Sequence, residues 1–223
     1  MGVLADVDAS SGAIVSALAA ALGRKPATPR AIHFFHGTRA FDPQSFVSRG
    51  LLPMSMVLDE IWHEIKALAN DVAEAEFDSF RQGLEEGPIE DLTYRHRRRM
   101  GASDDGPHGV LVRDVLVNAD AYGSSTEFLQ VPEIIGDICF AAHNELKVDL
   151  EERFLRATTS CIVEFAVEPR EIDKALAAAC WYADAAIRNT TAGDLAFHNF
   201  GDGLAVPPGR IVCVEVLDAR TST

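Results

Sequence analysis

The residues best suited to chemistry are His36-Gly37-Thr38-Arg39, which close a short apolar and aromatic run from Ala31 to His36. That run reads as a buried strand. A histidine at the end of a buried strand is held rigidly and can face a cleft. A glycine beside it lets a planar ligand approach the backbone, whose N–H and C=O can then pair with an amide. The Thr38 hydroxyl offers one further hydrogen bond. The set suits a flat ligand that carries a carboxamide. His33 and His36 fall on opposite faces of a strand, so a metal pair is not expected and His33 is assigned to packing.

Other familiar arrangements are missing. His63-Glu64-Ile65-Lys66-Ala67 lacks the second histidine of a zincin helix. No nucleophile elbow, P-loop or dinucleotide fingerprint is present, which removes the main signatures of serine hydrolases, P-loop NTPases and Rossmann dehydrogenases. Cys139, Cys161, Cys180 and Cys213 are widely spaced among apolar neighbours, with no CxxC pair. They read as buried thiols in a reducing compartment, with neither disulfide nor metal. The net charge of −14 repels phosphates through space and argues against nonspecific DNA binding, while suiting a basic protein partner. Arg95, Arg97, Arg98 and Arg99 around His96 form the dense basic run. It reads as a solvated helix end, the alternative being a contact for a phosphate or an acidic partner.

The elements that would position these residues follow from periodicity. Helices are predicted over Ser11 to Leu22 and Ser45 to Arg49, the latter capped by Gly50, and then in two or three pieces between Ser55 and Arg99. In that block Met56, Ile61, Ile65, Leu68, Val72 and Phe77 mark the apolar face. Gly109 to Val117 contains a strand. Pro132 opens a helix through Ala142, Ser160 to Val167 is a strand, and Glu171 to Ile187 is a helix. Leu195 to Phe200 and Ile211 to Leu217 are further strands. The order does not alternate strictly, so two small mixed sheets with peripheral helices fit better than a doubly wound sheet. The hydrophobic share of 48% supports a real core, and no apolar run is long enough to cross a membrane. The N-terminal stretch lacks a basic start, so it is read as a helix of a cytoplasmic protein and not as a secretory signal.

The segment around His36 resembles the start of the catalytic domain in ADP-ribosyltransferases of the diphtheria-toxin and poly(ADP-ribose) polymerase type. There a His-Gly-Ser/Thr motif ends the first core strand and a helix and Gly-Leu follow; here these are His36-Gly37-Thr38, Phe41 to Arg49 and Gly50-Leu51. Rifampin ADP-ribosyltransferases and tRNA 2′-phosphotransferases share the motif. A looser likeness links Gly109-Val110-Leu111-Val112 and Tyr122 to the second core strand and the tyrosine that stacks on nicotinamide. Leu111 stands where the family has its first tyrosine, and Ala119 where the polymerases have a serine that binds the carboxamide.

The resemblance implies an α+β fold with a split mixed β-sheet core and peripheral helices, in a single domain over residues 1–223. Residues 1–30 would be an N-terminal helix and linker, and residues 55–100 a helical insertion after the first core strand. It implies an NAD-dependent ADP-ribosyltransferase or NAD glycohydrolase, with NAD as substrate and the acceptor open: protein, nucleic acid, small molecule or water. By the same resemblance His36 bonds the ribose of the nicotinamide half and the Gly37 backbone holds the carboxamide. Thr38, Arg39 and Leu111 line the site, and Tyr122 stacks on the ring. The acid that stabilises the developing cation is sought at Asp202, then Asp194, then Glu133. The alternative is a catalytically weak or inactive module of that fold, acting through a protein partner.

Overall fold

The computed structural model describes residues 11–24, 27, 29–87, 89, 92–99, 106–118, 129–168, 172–188, 190 and 204–217. Its centre is a three-stranded sheet in the order β1 (Ile32–Ala40), β2 (Thr159–Val167), β3 (Ile211–Val216). β1 and β2 pair antiparallel along their whole length, from Ile32 opposite Val167 to Ala40 opposite Thr159. β3 runs antiparallel to β2, with a bulge between Glu164 and Phe165. The mixed sheets expected from the sequence are therefore replaced, among the described residues, by one antiparallel sheet. The long return from β1 to β2 brings the chain back beside its own start, which antiparallel pairing permits without a crossover. The strand expected at Leu195 to Phe200 lies outside the described residues.

β1 also runs further than expected, so the His-Gly-Thr motif lies inside the strand and not after it. Gly37, Thr38 and Arg39 are held in the ladder opposite Ile162, Cys161 and Ser160. Alternation then sorts the side chains. Ile32, Phe34, His36 and Thr38 share one face with Cys161, Val163 and Phe165; His33, Phe35, Gly37 and Arg39 share the other with Ser160, Ile162 and Glu164.

The first face is the core face. Phe34, Val163 and Phe165 are buried there with Leu51, Ala175 and Val206. The Phe34 and Phe165 rings stack with centroids 5.9 Å apart. Burying each of these rings stabilises the fold by about 1.5–3 kcal/mol. The second face is covered at one end by Val110 and Leu116, which pack on Phe35 and Ile162. Its other end meets solvent. His33 is exposed there and bonds Glu164 Oε1 through Nδ1 at 2.6 Å, so it pairs with a carboxylate where packing was expected. Cys213 is exposed on the same face, donating to Glu164 across the strands at 3.6 Å. It therefore departs from the buried thiols expected. Cys139 and Cys161 are buried, and burial pushes their thiols up to about 12 and about 11.

The helices are α1 (Ser11–Leu22), α2 (Ser45–Arg49), α3 (Met54–Leu68), α4 (Glu74–Glu86), α5 (Leu92–Arg99), α6 (Asp114–Val117), α7 (Glu133–Leu146), α8 (Leu150–Ala157) and α9 (Ile172–Arg188). Those of the 55–100 block do not close on themselves. They build one core with α7 and α8, in which Trp62, Phe77, Phe80 and Tyr94 are buried with Ile138, Leu150 and Phe154. Trp62 stands edge-on to Phe77, Phe80 and Tyr94, and its Nε1 donates to the Tyr94 hydroxyl at 3.2 Å. Met56, expected on the apolar face of α3, is 62% exposed. The buried line of that helix is Leu58, Trp62 and Ile65, because the indole sets the phase.

α8 was not expected from periodicity. It starts at Asp149, whose side chain accepts from the Glu152 N–H at 3.0 Å, a cap worth about 1 kcal/mol. The predicted strand after Gly109 is reduced to a single bridge, because α6 takes up Asp114 to Val117 and buries Val115 and Leu116. α1 lies on α9, where Ile14 packs against Ala177, Cys180 and Trp181. No helix among the described residues is long and apolar enough to cross a membrane.

Candidate functional site at the edge of the first strand

β2 occupies one edge of β1. On the other edge Phe35 and Val110 exchange both backbone hydrogen bonds at 2.8 Å. Peptide groups two residues apart point to the same edge of a strand, so the N–H and C=O of Gly37 face the side that Val110 occupies. The register that pairs Phe35 with Val110 sets His108 opposite Gly37. A continuing ladder would give the His108 carbonyl to the Gly37 N–H. That carbonyl instead accepts from Nδ1 of His36 at 2.6 Å. Among the described residues no backbone hydrogen bond reaches Gly37 from this side.

The bond also settles the state of the imidazole. A carbonyl only accepts, so Nδ1 carries the proton and the neutral ring keeps its lone pair on Nε2. Part of the His36 residue reaches solvent, yet the packed surroundings strip water from the ring. This desolvation holds its pKa below the ordinary 6.5; the bond to the His108 carbonyl acts in the opposite sense and the nearby His108 charge adds to the lowering. A depressed imidazole contributes stability that is complete above the unfolded value and is lost as pH falls through the folded one. We expect His36 to titrate with an NMR midpoint below 6.5, from an Nδ1-protonated neutral form. A midpoint above 6.5 would contradict the desolvated setting.

The site's walls are close-packed. A Cβ on Gly109 would lie 2.7 Å from the Phe165 ring and 3.0 Å from the Phe34 Cβ, so only glycine lets this segment approach β1. Leu111 packs against the core of Phe34, Leu51 and Val206. Gly50 takes φ 79° and ψ −165°, and Leu51 beyond it bridges Val206 just ahead of β3. Parts of the three stretches singled out in the sequence, Phe34 of the first strand, Leu51 and Leu111, thus meet in one apolar cluster.

The remaining candidates fall in different places. Thr38 Oγ1 donates to the Arg39 carbonyl at 3.5 Å, a bond weak enough for the hydroxyl to turn to another partner. Arg39 is on the opposite face from His36, and its five N–H donors are all used within the protein. Nε donates to Thr158 Oγ1 at 3.1 Å, one terminal nitrogen to Leu129 O and Ser160 Oγ, and the other to Leu155 O at 3.0 Å and Thr158 O at 2.8 Å. Two of those carbonyls belong to the end of α8, where a cation also suits the helix dipole. Glu133 is exposed at the start of α7. Tyr122, Ala119, Asp194 and Asp202 lie outside the described residues. No residue of the three strands on the His36 face is acidic.

The basic run is only partly a solvated helix end. Arg95 turns inward to the carbonyls of Gly87 and Ile89, while Arg98 lies 3.9 Å from Glu85. His108 was missed by sequence reasoning, since an isolated histidine after a proline carries no spacing signal. Comparison of the chain with protein-family models, curated proteins and solved structures found no match.

Proposed function

We propose that this chain binds NAD at the open edge of β1 and cleaves its nicotinamide–ribose bond, as an ADP-ribosyltransferase or NAD glycohydrolase on an ADP-ribosyltransferase-like fold. The observation that carries this reading is the diverted carbonyl of His108. By accepting from His36, it leaves the Gly37 peptide facing an edge where the ladder has stopped. A carboxamide is a single peptide unit, with one donor and one acceptor on the same side. It can take the place that the next residue of the ladder would have taken, for about 1 kcal/mol per hydrogen bond.

The same bond prepares His36. With Nδ1–H committed, Nε2 accepts from a ribose hydroxyl and fixes the sugar next to the ring. Breakage of the glycosidic bond sends its electron pair to the pyridinium nitrogen, which leaves as neutral nicotinamide and puts positive charge on the ribose. A carboxylate aimed at that charge lowers the barrier. With no acid on this face of the strands, Asp202 and Asp194 stand as the first candidates for it, and Tyr122 as the ring-stacking residue. Leu111 supplies an apolar wall. Arg39 acts by holding the scaffold, because its hydrogen bonds are spent on it.

A second reading is a binding module of the same fold that acts through a protein partner. Leu111 favours it, since a leucine built into the core leaves no hydroxyl for the ligand. Nicotinamide release by the purified protein, with and without cell lysate, separates the two. We expect release from the wild type and a loss of about 100-fold or more in His36→Ala, as for a lost transition-state contact of roughly 3 kcal/mol. Release only with lysate identifies transfer to a cellular acceptor. No release in any sample, with NAD still bound, moves the assignment to the binding module.

A further inference from the structure

We propose that His36 is also a latch: its bond to the His108 carbonyl holds residues 106–110 off the rest of β1, and when that bond is released the segment closes along the strand and shuts the site. That closure shuts a ligand site rests on the NAD reading; the closure itself does not. Phe35 and Val110 exchange both backbone hydrogen bonds at 2.8 Å. In an antiparallel pair the next such exchange lies two residues on in each strand, at Gly37 and His108, and the one after at Arg39 and Gly106. Among the described residues neither is made, and the pairing stops as an isolated bridge. The carbonyl that would make the first has been taken by Nδ1 of His36 at 2.6 Å.

The segment is suited to closing. His108 would stand opposite Gly37, which has no side chain to meet it. Pro107 would fall between the two exchanges, where its peptide nitrogen faces away from β1 and its missing N–H costs no rung. The carbonyl in question belongs to the peptide that joins His108 to Gly109. Rotating that one peptide between its two Cα atoms carries the oxygen from the imidazole to the Gly37 N–H, and Gly109 has no Cβ to oppose the turn. Gly109 stays seated meanwhile, because Phe165 and Phe34 leave no room for even a Cβ there. Two donors thus compete for one acceptor. When the imidazole holds it, the Gly37 peptide is open to a carboxamide. When Gly37 holds it, the His108 N–H reaches the Gly37 carbonyl as well, and the chain's own backbone takes both groups that nicotinamide would use. Closure is therefore an autoinhibitory contact, and a side chain of the site itself holds it off.

The test is amide hydrogen exchange of the free protein, without NAD, in wild type, His36→Leu, His36→Ala and His36→Asn. Leucine and alanine remove the donor, the first while keeping bulk. Asparagine keeps an N–H two bonds from Cβ, where Nδ1 stands in histidine. We expect the Gly37 and His108 amides to exchange about tenfold or more slowly in the leucine and alanine variants than in the wild type, and near the wild-type rate in the asparagine variant. Losing a side chain with a merely structural role loosens its surroundings and speeds exchange, so the sign separates the two. Amides of β2 such as Val163 should keep their protection in every variant. Gly37 exchange that is unchanged or faster in the leucine and alanine variants overturns the latch, as does a Gly37 amide already protected in the wild type. Nicotinamide titrated into the wild type and read at the Gly37 amide tests the NAD reading separately. No shift there overturns that reading and leaves the exchange result standing.

Discussion

Gly50→Ala should lower the melting temperature by roughly 10 °C, the largest effect expected of an added methyl group at any of the described glycines. Two independent costs coincide at that position. The backbone angles, φ 79° and ψ −165°, lie in a region that only glycine adopts without strain. A Cβ built there would also lie 2.0 Å from the Val206 carbonyl oxygen and 3.0 Å from the Pro207 carbonyl carbon. Neither neighbour is a side-chain end that can swing away, and the Val206 carbonyl accepts from the Leu51 N–H at 2.9 Å. Separating the strands there breaks the join between the end of α2 and the run into β3. Strain and displaced pairing together cost about 4 kcal/mol. Calorimetry on Gly50→Ala checks this against Gly87→Ala, where nothing lies within 4 Å of the added carbon. Equal melting temperatures for the two would refute the close approach.

Arg39→Ala should cost about as much, by a different route. The side chain leaves β1 and satisfies carbonyls at Leu129, Leu155 and Thr158 and hydroxyls at Thr158 and Ser160. Burial lowers its pKa from the ordinary value, yet a guanidinium stays charged, so the cation is held by oxygen dipoles. Removing it strips partners from several partly buried acceptors at once, at about 1–3 kcal/mol for each one that water cannot reach. A total of about 3–4 kcal/mol in urea unfolding is expected. Arg39→Lys should recover less than half of the loss, because a point charge cannot fill a five-donor fork. Full recovery by lysine would show that charge alone matters there.

These two positions show what the sequence discloses and what it hides. Gly50 was legible as a helix cap, since a glycine after a short helix is a strong local signal. Its closeness to Val206 was not, because that contact joins positions 156 residues apart in the chain. Arg39 was legible as part of a polar motif and was assigned to the ligand. Only the meeting of β1 with the end of α8 reveals its occupation by the scaffold, and α8 itself was overlooked although Asp149 and Glu152 carry a cap signal. The long helices and the three strands were legible because their apolar periods are regular. The single antiparallel sheet was not, since pairing order leaves no trace in period or composition. At the site, His36 was legible as a strand residue, but the strand was expected to end there and in fact runs on through Gly37 to Ala40. The tautomer of His36 and the freed edge of Gly37 depend on the His108 carbonyl, a backbone group that no side-chain motif can announce.

On the proposed reading, the peptide of Gly37 and the Nε2 of His36 receive the nicotinamide half of NAD. The most direct measurement is an amide and imidazole NMR titration of the protein with NAD. The Gly37 N–H should move downfield as a new hydrogen bond forms, and His36 should stay in its Nδ1-protonated form while its Nε2 resonance shifts. Saturating NAD that leaves the Gly37 and His36 signals in place, or that moves only residues far from β1, would contradict it.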